Sequence, residues 1–420
     1  MSSSSSSASR RPRRRRAGLA ALVLGVALAA GIGPVEAQEA LRPEVGRPLL
    51  AAEQLIKQQR YKEALAKVRE ADAVGGKTAN ENFMVERMRI AAASGAGDVE
   101  TAARSFDALA GSNRVSGAEK LRMIESIAGS YYRAREYAKA TQWGQRYFRE
   151  GGTSPAIRTL LIQSQYLSGD FAGAERELMA EVQAAEKSGA APGEDRLKLL
   201  LNAALKQNDN NAYVYAMEKL VTYYPKKEYW VDLLSRLQRK PSFSDRLALD
   251  TYRLSLATGS MSNPNDYMEM AQLALQADYA AEAKQVVDKG FAAGVLGTGP
   301  QAERHKRLRD LAAKRLDEVR KSLPDDVRQA EEAKDGNALV DVGMNLVYEG
   351  QGAKGLQLMQ QGIAKGGLKR PEDAKLHLAV AYLTAGEAAK AQSTLRTVSG
   401  SDGTADLARL WMLYARQQRK

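Results

Sequence analysis

No cysteine occurs among the 420 residues, and only two are histidine. The first absence excludes a disulfide framework, a thiol nucleophile, a thiolate metal site and a lipid-bearing N-terminal cysteine. Aromatic residues make up 6% of the chain against 44% hydrophobic residues overall, a balance that suits a large Ala- and Leu-rich helical protein. Beyond the N-terminal run, no segment is long and apolar enough to cross a bilayer. A dominant charge is missing too. The net charge is +12, but six Arg and one Glu in residues 1–37 supply +5 of it. The remaining +7 is spread over more than 380 residues, a mildly basic surface rather than a nucleic-acid footprint.

What is present begins with a processing signal. Six Ser lead into a basic run, Arg10, Arg11 and Arg13 to Arg16, followed by an apolar stretch from Ala17 to Ile32. Val35-Glu36-Ala37 then offers small residues where a signal peptidase reads them. Basic, apolar and small-x-small is the layout of a cleaved secretory leader. The apolar run is shorter than the roughly 20 residues of a spanning helix. Ser9-Arg10-Arg11 resembles the start of a twin-arginine signal, but Pro12 and Arg13 stand where an apolar residue is needed. The sequence predicts a periplasmic or secreted chain without stable membrane insertion.

A small alanine recurs in a two-helix pattern. Ala64, Ala102, Ala140 and Ala174 each follow a short turn and open a helix that ends in a second apolar cluster. Their spacing is close to the unit of a helix–turn–helix repeat. In the unit from Ala118 to Gly151, Ile124, Ile127, Ala128 and Tyr131 form one helical stripe. Arg135-Glu136-Tyr137 makes the turn, and Tyr137, Ala140, Gly144 and Tyr147 line the second helix. Ala128 and Ala140 are small because the two helices of a hairpin must approach closely there. The same order of residue types returns from Ala52 to Ala71, Ile90 to Leu109, Leu161 to Leu178 and Leu378 to Val398. A glycine-heavy version carries Gly343, Leu346, Gly350, Gly355, Met359 and Gly362. One such unit cannot bury its apolar face alone, so the units must stack.

This pattern resembles the tetratricopeptide repeat family. Trp230, Leu233, Leu234 and Leu237 look like a first helix of that family, and Tyr223-Tyr224-Pro225 like the end of a second. Tyr267, Met270, Ala271, Ala274, Ala283, Val287 and Gly290 look like a further degenerate copy. The resemblance implies an all-α fold, an α-solenoid of stacked helix–turn–helix repeats forming a right-handed superhelix whose concave face is lined by the first helices. The expected organisation is a leader over 1–37, an N-terminal solenoid over 38–300, a charged helical connector over 301–335, and C-terminal repeats with a capping helix over 336–420. Within the connector, Leu323-Pro324-Asp325-Asp326 reads as a break and a new helix start.

Chemistry-bearing patterns are scarce. Neither His305 nor His377 has an acid or second His at metal-ligand spacing, and both read as ordinary surface or groove histidines. Gly294-Val295-Leu296-Gly297-Thr298-Gly299 has a helix before it and Pro300 after it. That is the wrong setting for a phosphate loop, and the stretch reads as a flexible link. Asp325-Asp326 and Glu331-Glu332 read as helix-start charge. The basic cluster from Arg304 to Arg309 lacks interleaved aromatics for base stacking. No catalytic constellation, cofactor site or metal site is expected.

Lys198 and Asn202 lie four apart on a first helix. Tetratricopeptide adaptors that grip a C-terminal carboxylate use Lys and Asn at such positions, where an ammonium and an amide converge on one anion. Asp232 stands near the place of the next Asn and would repel that anion. Arg122, Glu125, Tyr132, Arg133, Thr159, Gln163 and Tyr166 should face the same groove, and Tyr and Arg are the usual anchors of binding energy. The resemblance therefore implies a non-enzymatic scaffold that binds a protein or extended peptide, with family analogy pointing to envelope assembly, secretion or polysaccharide export. An envelope carbohydrate-active enzyme with a helical fold and an inert spacer are the alternatives.

Overall fold

A computed structural model describes residues 40–111 and 114–418. The expected leader, residues 1–37, lies outside the described residues. Among the described residues there are twenty α-helices, a single turn of 3₁₀ helix and no strand. They form two compact units divided after Arg114.

The first unit contains α1 (Pro43–Lys57), α2 (Tyr61–Asp72), α3 (Ala79–Ala96) and α4 (Val99–Ala110). Its hairpins α1/α2 and α3/α4 bury Val45, Ala52, Ala64, Val68, Ile90, Ala102 and Phe106. Thr78 opens α3 with a reciprocal capping box to Glu81, which satisfies two otherwise orphaned backbone donors. Arg42 also grips Glu81 at 2.8 Å. The Arg42 guanidinium, together with the backbone N–H of Thr78, holds the Glu81 carboxyl down to about 2.

The second unit begins with α5 (Gly117–Arg133), α6 (Tyr137–Arg149), α7 (Pro155–Leu167), α8 (Phe171–Lys187), α9 (Glu194–Gln207) and α10 (Asn210–Tyr223). It continues with α11 (Lys227–Gln238), α12 (Ala248–Ala257), α13 (Pro264–Gln276), α14 (Ala280–Ala292) and α15 (Ala302–Glu332). Last come α16 (Asn337–Tyr348), α17 (Gly352–Lys365), α18 (Pro371–Thr384), α19 (Ala388–Leu395) and α20 (Thr404–Gln417). Consecutive helices pack as antiparallel hairpins, and each hairpin packs on the next.

One local device builds eight of these hairpins. The residue two places before each second helix has positive φ: Gln59, Gly97, Arg135, Gly169, Asn208, Asp278, Gly350 and Gly386. A left-handed residue there ends the first helix and lets the chain reverse at once. Four places into the second helix comes a small residue that meets the first helix. Ala64, Ala102, Ala140, Ala174, Ala283 and Ala391 fill that place and are all fully buried. Gly355 fills it in α17, where an added Cβ would lie 2.4 Å from the carbonyl oxygen of Gly343 on α16. In α10 the place belongs to Tyr213, with the fully buried Ala216 one turn on. The all-α stacked architecture matches the sequence expectation.

A single cluster of buried apolar side chains runs from Ile162 to Ala415. The expected boundaries at 300 and 336 fall inside its span. The cluster is continuous because the C-terminal helices return to the middle of the unit. Helix α20 packs on α18 and α19, and also on α10 and α12. It buries Leu407, Leu410, Trp411 and Ala415. Polar contacts fix its register. Gln417 donates to the carbonyl of Val221 at 2.6 Å, Lys240 pairs with Asp406 at 2.9 Å, and Arg246 bridges Asp373 and Asp402 at 2.9 and 2.7 Å. A helix with apolar contacts on both sides is not the polar end-cap read from the sequence.

Four further sequence readings need correction. The chain does not break at Leu323-Pro324: α15 runs unbroken through both. Proline in a helix interior costs about 3 kcal/mol. Leu323 and Val327 pack beside Leu339, Leu346 and Leu358 on both sides of the proline, and that burial offsets the lost hydrogen bond. Asp325 and Asp326 are consequently mid-helix charges, paired with Arg328 at 2.9 Å and Ser322 at 2.6 Å. The stretch 294–299 is pinned rather than loose: Leu296 is buried, and the Gly297 N–H donates to His305 Nδ1 at 3.1 Å. That contact buries His305 to 2% exposure. His377, read as a surface or groove histidine, places its Nε2 3.0 Å from Asp250 Oδ1.

Candidate functional site

The left-handed turn residues give the first helices a common register. Glu125, Thr159 and Lys198 each lie ten residues before the turn residue of their hairpin. Gly129, Gln163 and Asn202 lie six before it, and Tyr132, Tyr166 and Leu205 three before it. Spacings of four and three place each set on one stripe of its helix. Helices α5 and α7 pack directly against each other. The Tyr132 hydroxyl donates to Gln163 Oε1 at 3.0 Å, which joins two of the expected groove residues across that contact.

The tyrosines are braced from behind. Tyr132 meets Tyr137 edge-on at 5.7 Å, and Tyr166 meets Phe171 in the same way at 5.2 Å. Each partner is the first residue of the following helix, so one packing device repeats in two hairpins. Edge-to-face contacts of this kind fix ring orientation. Burial, with the neighbouring Tyr137, pushes the Tyr132 hydroxyl above the usual phenol range. Burial also pushes the half-buried Glu125 carboxyl up. Thr159 accepts a hydrogen bond from Arg196. Arg122 is exposed, with its guanidinium 3.4 Å from the Ala118 carbonyl. Arg133 is exposed and donates to Ser130 Oγ at 2.8 Å.

Lys198 and Asn202 do not form the carboxylate grip considered from the sequence. Lys198 sits 3.0 Å from Glu194. The same carboxylate receives Lys226 at 2.5 Å and the Tyr229 hydroxyl. Lys226, Tyr229 and Lys198 together hold Glu194 down to about 2. The chain thus supplies its own anion for Lys198. Asn202 is exposed. Asp232 accepts the Tyr213 hydroxyl and stands 3.6 Å from Arg236. Leu205, 49% exposed, is the residue of this face that the sequence reading missed. Its signal was its equivalence to Tyr132 and Tyr166 in register.

A second cluster was invisible in the sequence because its members come from distant helices. Arg253 on α12 reaches both carboxylate oxygens of Glu282 on α14, at 2.7 and 2.6 Å, and Asp250 at 2.7 Å. All three are at most 4% exposed. His377 and Arg253, packed beside it, hold the Asp250 carboxyl below the usual range despite its burial. Tyr279 donates to Asp341 at 2.9 Å, and burial pushes its hydroxyl far up. Carboxylates tied to a guanidinium in this way are poor proton donors near neutral pH. Arg253 and Glu282 also line a cavity of about 400 Å³ whose other walls come from α13, α16, α18, the start of α19 and α20. Among the described residues no group of His, Asp or Glu is arranged to hold a metal ion. No helix among them is long and apolar enough to cross a membrane.

No protein-family model matches the chain, and no curated protein does. Solved structures that match the chain include two from yeast. The TPR2AB domain of yeast Sti1, in its pHSP90 complex, is 14% identical, with a TM-score of 0.23, over 72% of this chain and 100% of that one. Yeast Tom70 is 11% identical, with a TM-score of 0.24, over 89% of this chain and 96% of its own.

Proposed function

We propose that this chain is a non-enzymatic scaffold that binds another protein, as an extended peptide, across the first helices α5, α7 and α9. The observation that carries the reading is the joined register of Tyr132, Gln163 and Tyr166. Two braced aromatic rings lie at matched positions on packed helices, and a 3.0 Å hydrogen bond ties Tyr132 to Gln163 across them. Rigid aromatic side chains supply contact area at low entropic cost, and Tyr and Arg dominate binding hot spots. The leader-like first 37 residues support an exported, periplasmic or secreted location, and a role in an envelope assembly, secretion or polysaccharide-export complex is the setting we favour.

The test is affinity capture of the full chain from its own envelope extract, with the wild type beside Tyr132→Ala/Arg133→Ala. One specific protein should be enriched by the wild type and lost with the double variant, while the helical circular dichroism and melting midpoint stay the same. Undiminished capture by the folded variant would overturn the assignment of this face. Fractionation of producing cells checks the location: the chain should appear in the periplasmic or external fraction, shortened by its leader.

A further inference from the structure

We infer that the cavity between α12, α14, α18 and α20 is a binding site for a small anionic amphiphile, a carboxylate carrying an apolar tail. It is separate from the peptide face. Its volume of about 400 Å³ lies within the roughly 300–1,000 Å³ typical of small-molecule pockets. The chain walls this open-mouthed space by bringing α20 back onto α12.

The walls divide by chemistry. Leu256, Met270, Val380 and Leu383 offer an apolar surface for a hydrocarbon tail. Two donors in the walls, Trp411 and Lys289, have no acceptor of their own. Trp411 forms part of the wall and is 2% exposed, yet its indole N–H has no acceptor. A buried donor without a partner is costly, and native interiors rarely keep one without a reason. A ligand oxygen lying along the ring edge supplies the missing acceptor. Lys289 is exposed and also lines the cavity. Its neighbours Lys284 and Arg309 both pair with Asp288, which leaves the Lys289 ammonium to meet an incoming anion. The acid in the wall, Glu282, is already committed to Arg253 through both oxygens. It neither repels an anion strongly nor recruits a cation. An unpaired indole N–H and ammonium beside a carboxylate already committed to Arg253 favour a ligand that brings acceptors and negative charge.

The test is calorimetric titration of decanoate into the full chain, with Trp fluorescence as a second readout. Decanol serves as the uncharged twin and inorganic phosphate as the anion without a tail. Decanoate should bind saturably at one site, at least tenfold tighter than decanol, and phosphate should give no heat. Lys289→Gln should erase the preference for decanoate over decanol. Trp411→Phe, which keeps the ring and removes the N–H, should weaken decanoate about tenfold. Leu383→Trp should abolish binding by filling the cavity, and Trp411→Phe carries the test if that variant does not fold. Absence of saturable decanoate binding, or binding equal in wild type, Lys289→Gln and Trp411→Phe, would overturn the assignment. Tyr132→Ala/Arg133→Ala should bind decanoate as the wild type does, so the fate of the peptide face is read separately.

Discussion

Arg253 and Glu282 meet by two parallel hydrogen bonds of 2.7 and 2.6 Å, with neither side chain more than 3% exposed. They lie 29 residues apart, on helices that are not hairpin partners. Paired and desolvated in this way, the two charges are worth little as a net gain, but either one alone is expensive. Arg253→Met leaves Glu282 buried without its cation and Asp250 with His377 alone. It should lower unfolding stability by about 3–5 kcal/mol. Urea denaturation measures this, and a loss below about 1 kcal/mol would show that the cluster is hydrated rather than closed.

The contact between α16 and α17 is made of glycine. An added Cβ on Gly343 would come within 2.6 Å of the Gly355 carbonyl oxygen, and one on Gly362 within 2.6 Å of the Gly336 oxygen. Backbone cannot step aside as a flexible side chain can. Gly355→Ala should therefore cost about 1–3 kcal/mol through overpacking. Gly117→Ala is the control, since nothing lies within 4 Å of a Cβ there; it should be neutral or slightly stabilising. Equal effects of the two changes in thermal melts would refute the close contact.

Acid should act on the first unit through Glu81. Its folded value of about 2 lies below the ordinary 4.5. A depressed carboxyl stabilises the fold fully above its unfolded value and loses that contribution as pH falls through the folded one. The stabilisation is therefore complete above about 4.5 and gone near 2. Glu81→Gln should lower the melting midpoint at pH 7, and the gap from wild type should close as the pH is brought from 4.5 towards 2. A gap that stays constant over that window would mean that the Arg42 contact does not depend on charge.

The return of α20 rests partly on ion pairs that salt and mutation can weaken. Arg246 holds both Asp373 and Asp402, and it also donates to Thr404 at 3.2 Å. Arg246→Ala should speed amide hydrogen exchange through α20 while α5 to α8 exchange as before. Local opening of this kind precedes global unfolding where few contacts are lost. Unchanged exchange in α20 would assign its docking to the apolar contacts of Leu407, Leu410 and Trp411 alone.

Local pattern revealed the hairpins because each hairpin is a local object. The period of small residues found Ala64, Ala102, Ala140 and Ala174, and all four are fully buried. It did not find the left-handed turn residues Gln59, Asn208 and Asp278, because none is glycine and each φ value comes from the hairpin as a whole. Pro324 misled for a related reason. The penalty of a proline is local, whereas the packing of Leu323 and Val327 that offsets it is not. His305, His377 and Arg253 looked unremarkable because their partners Gly297, Asp250 and Glu282 have no helical period in common with them. The matched positions of Tyr132 and Tyr166 were legible, since each lies three residues before the turn of its hairpin. The cavity was not, because it exists only where helices more than a hundred residues apart in sequence close around a space.

The bond from Gln417 to Val221 spans 196 residues, and this sets an order of events during synthesis. At about 5–20 residues per second, the flank of α10 emerges from the ribosome some 10–40 seconds before the helix that covers it. Through that interval the nascent chain carries an uncovered apolar strip. A chaperone that shelters half-made polypeptides should therefore engage this protein late, and release it only once the final helix has been delivered.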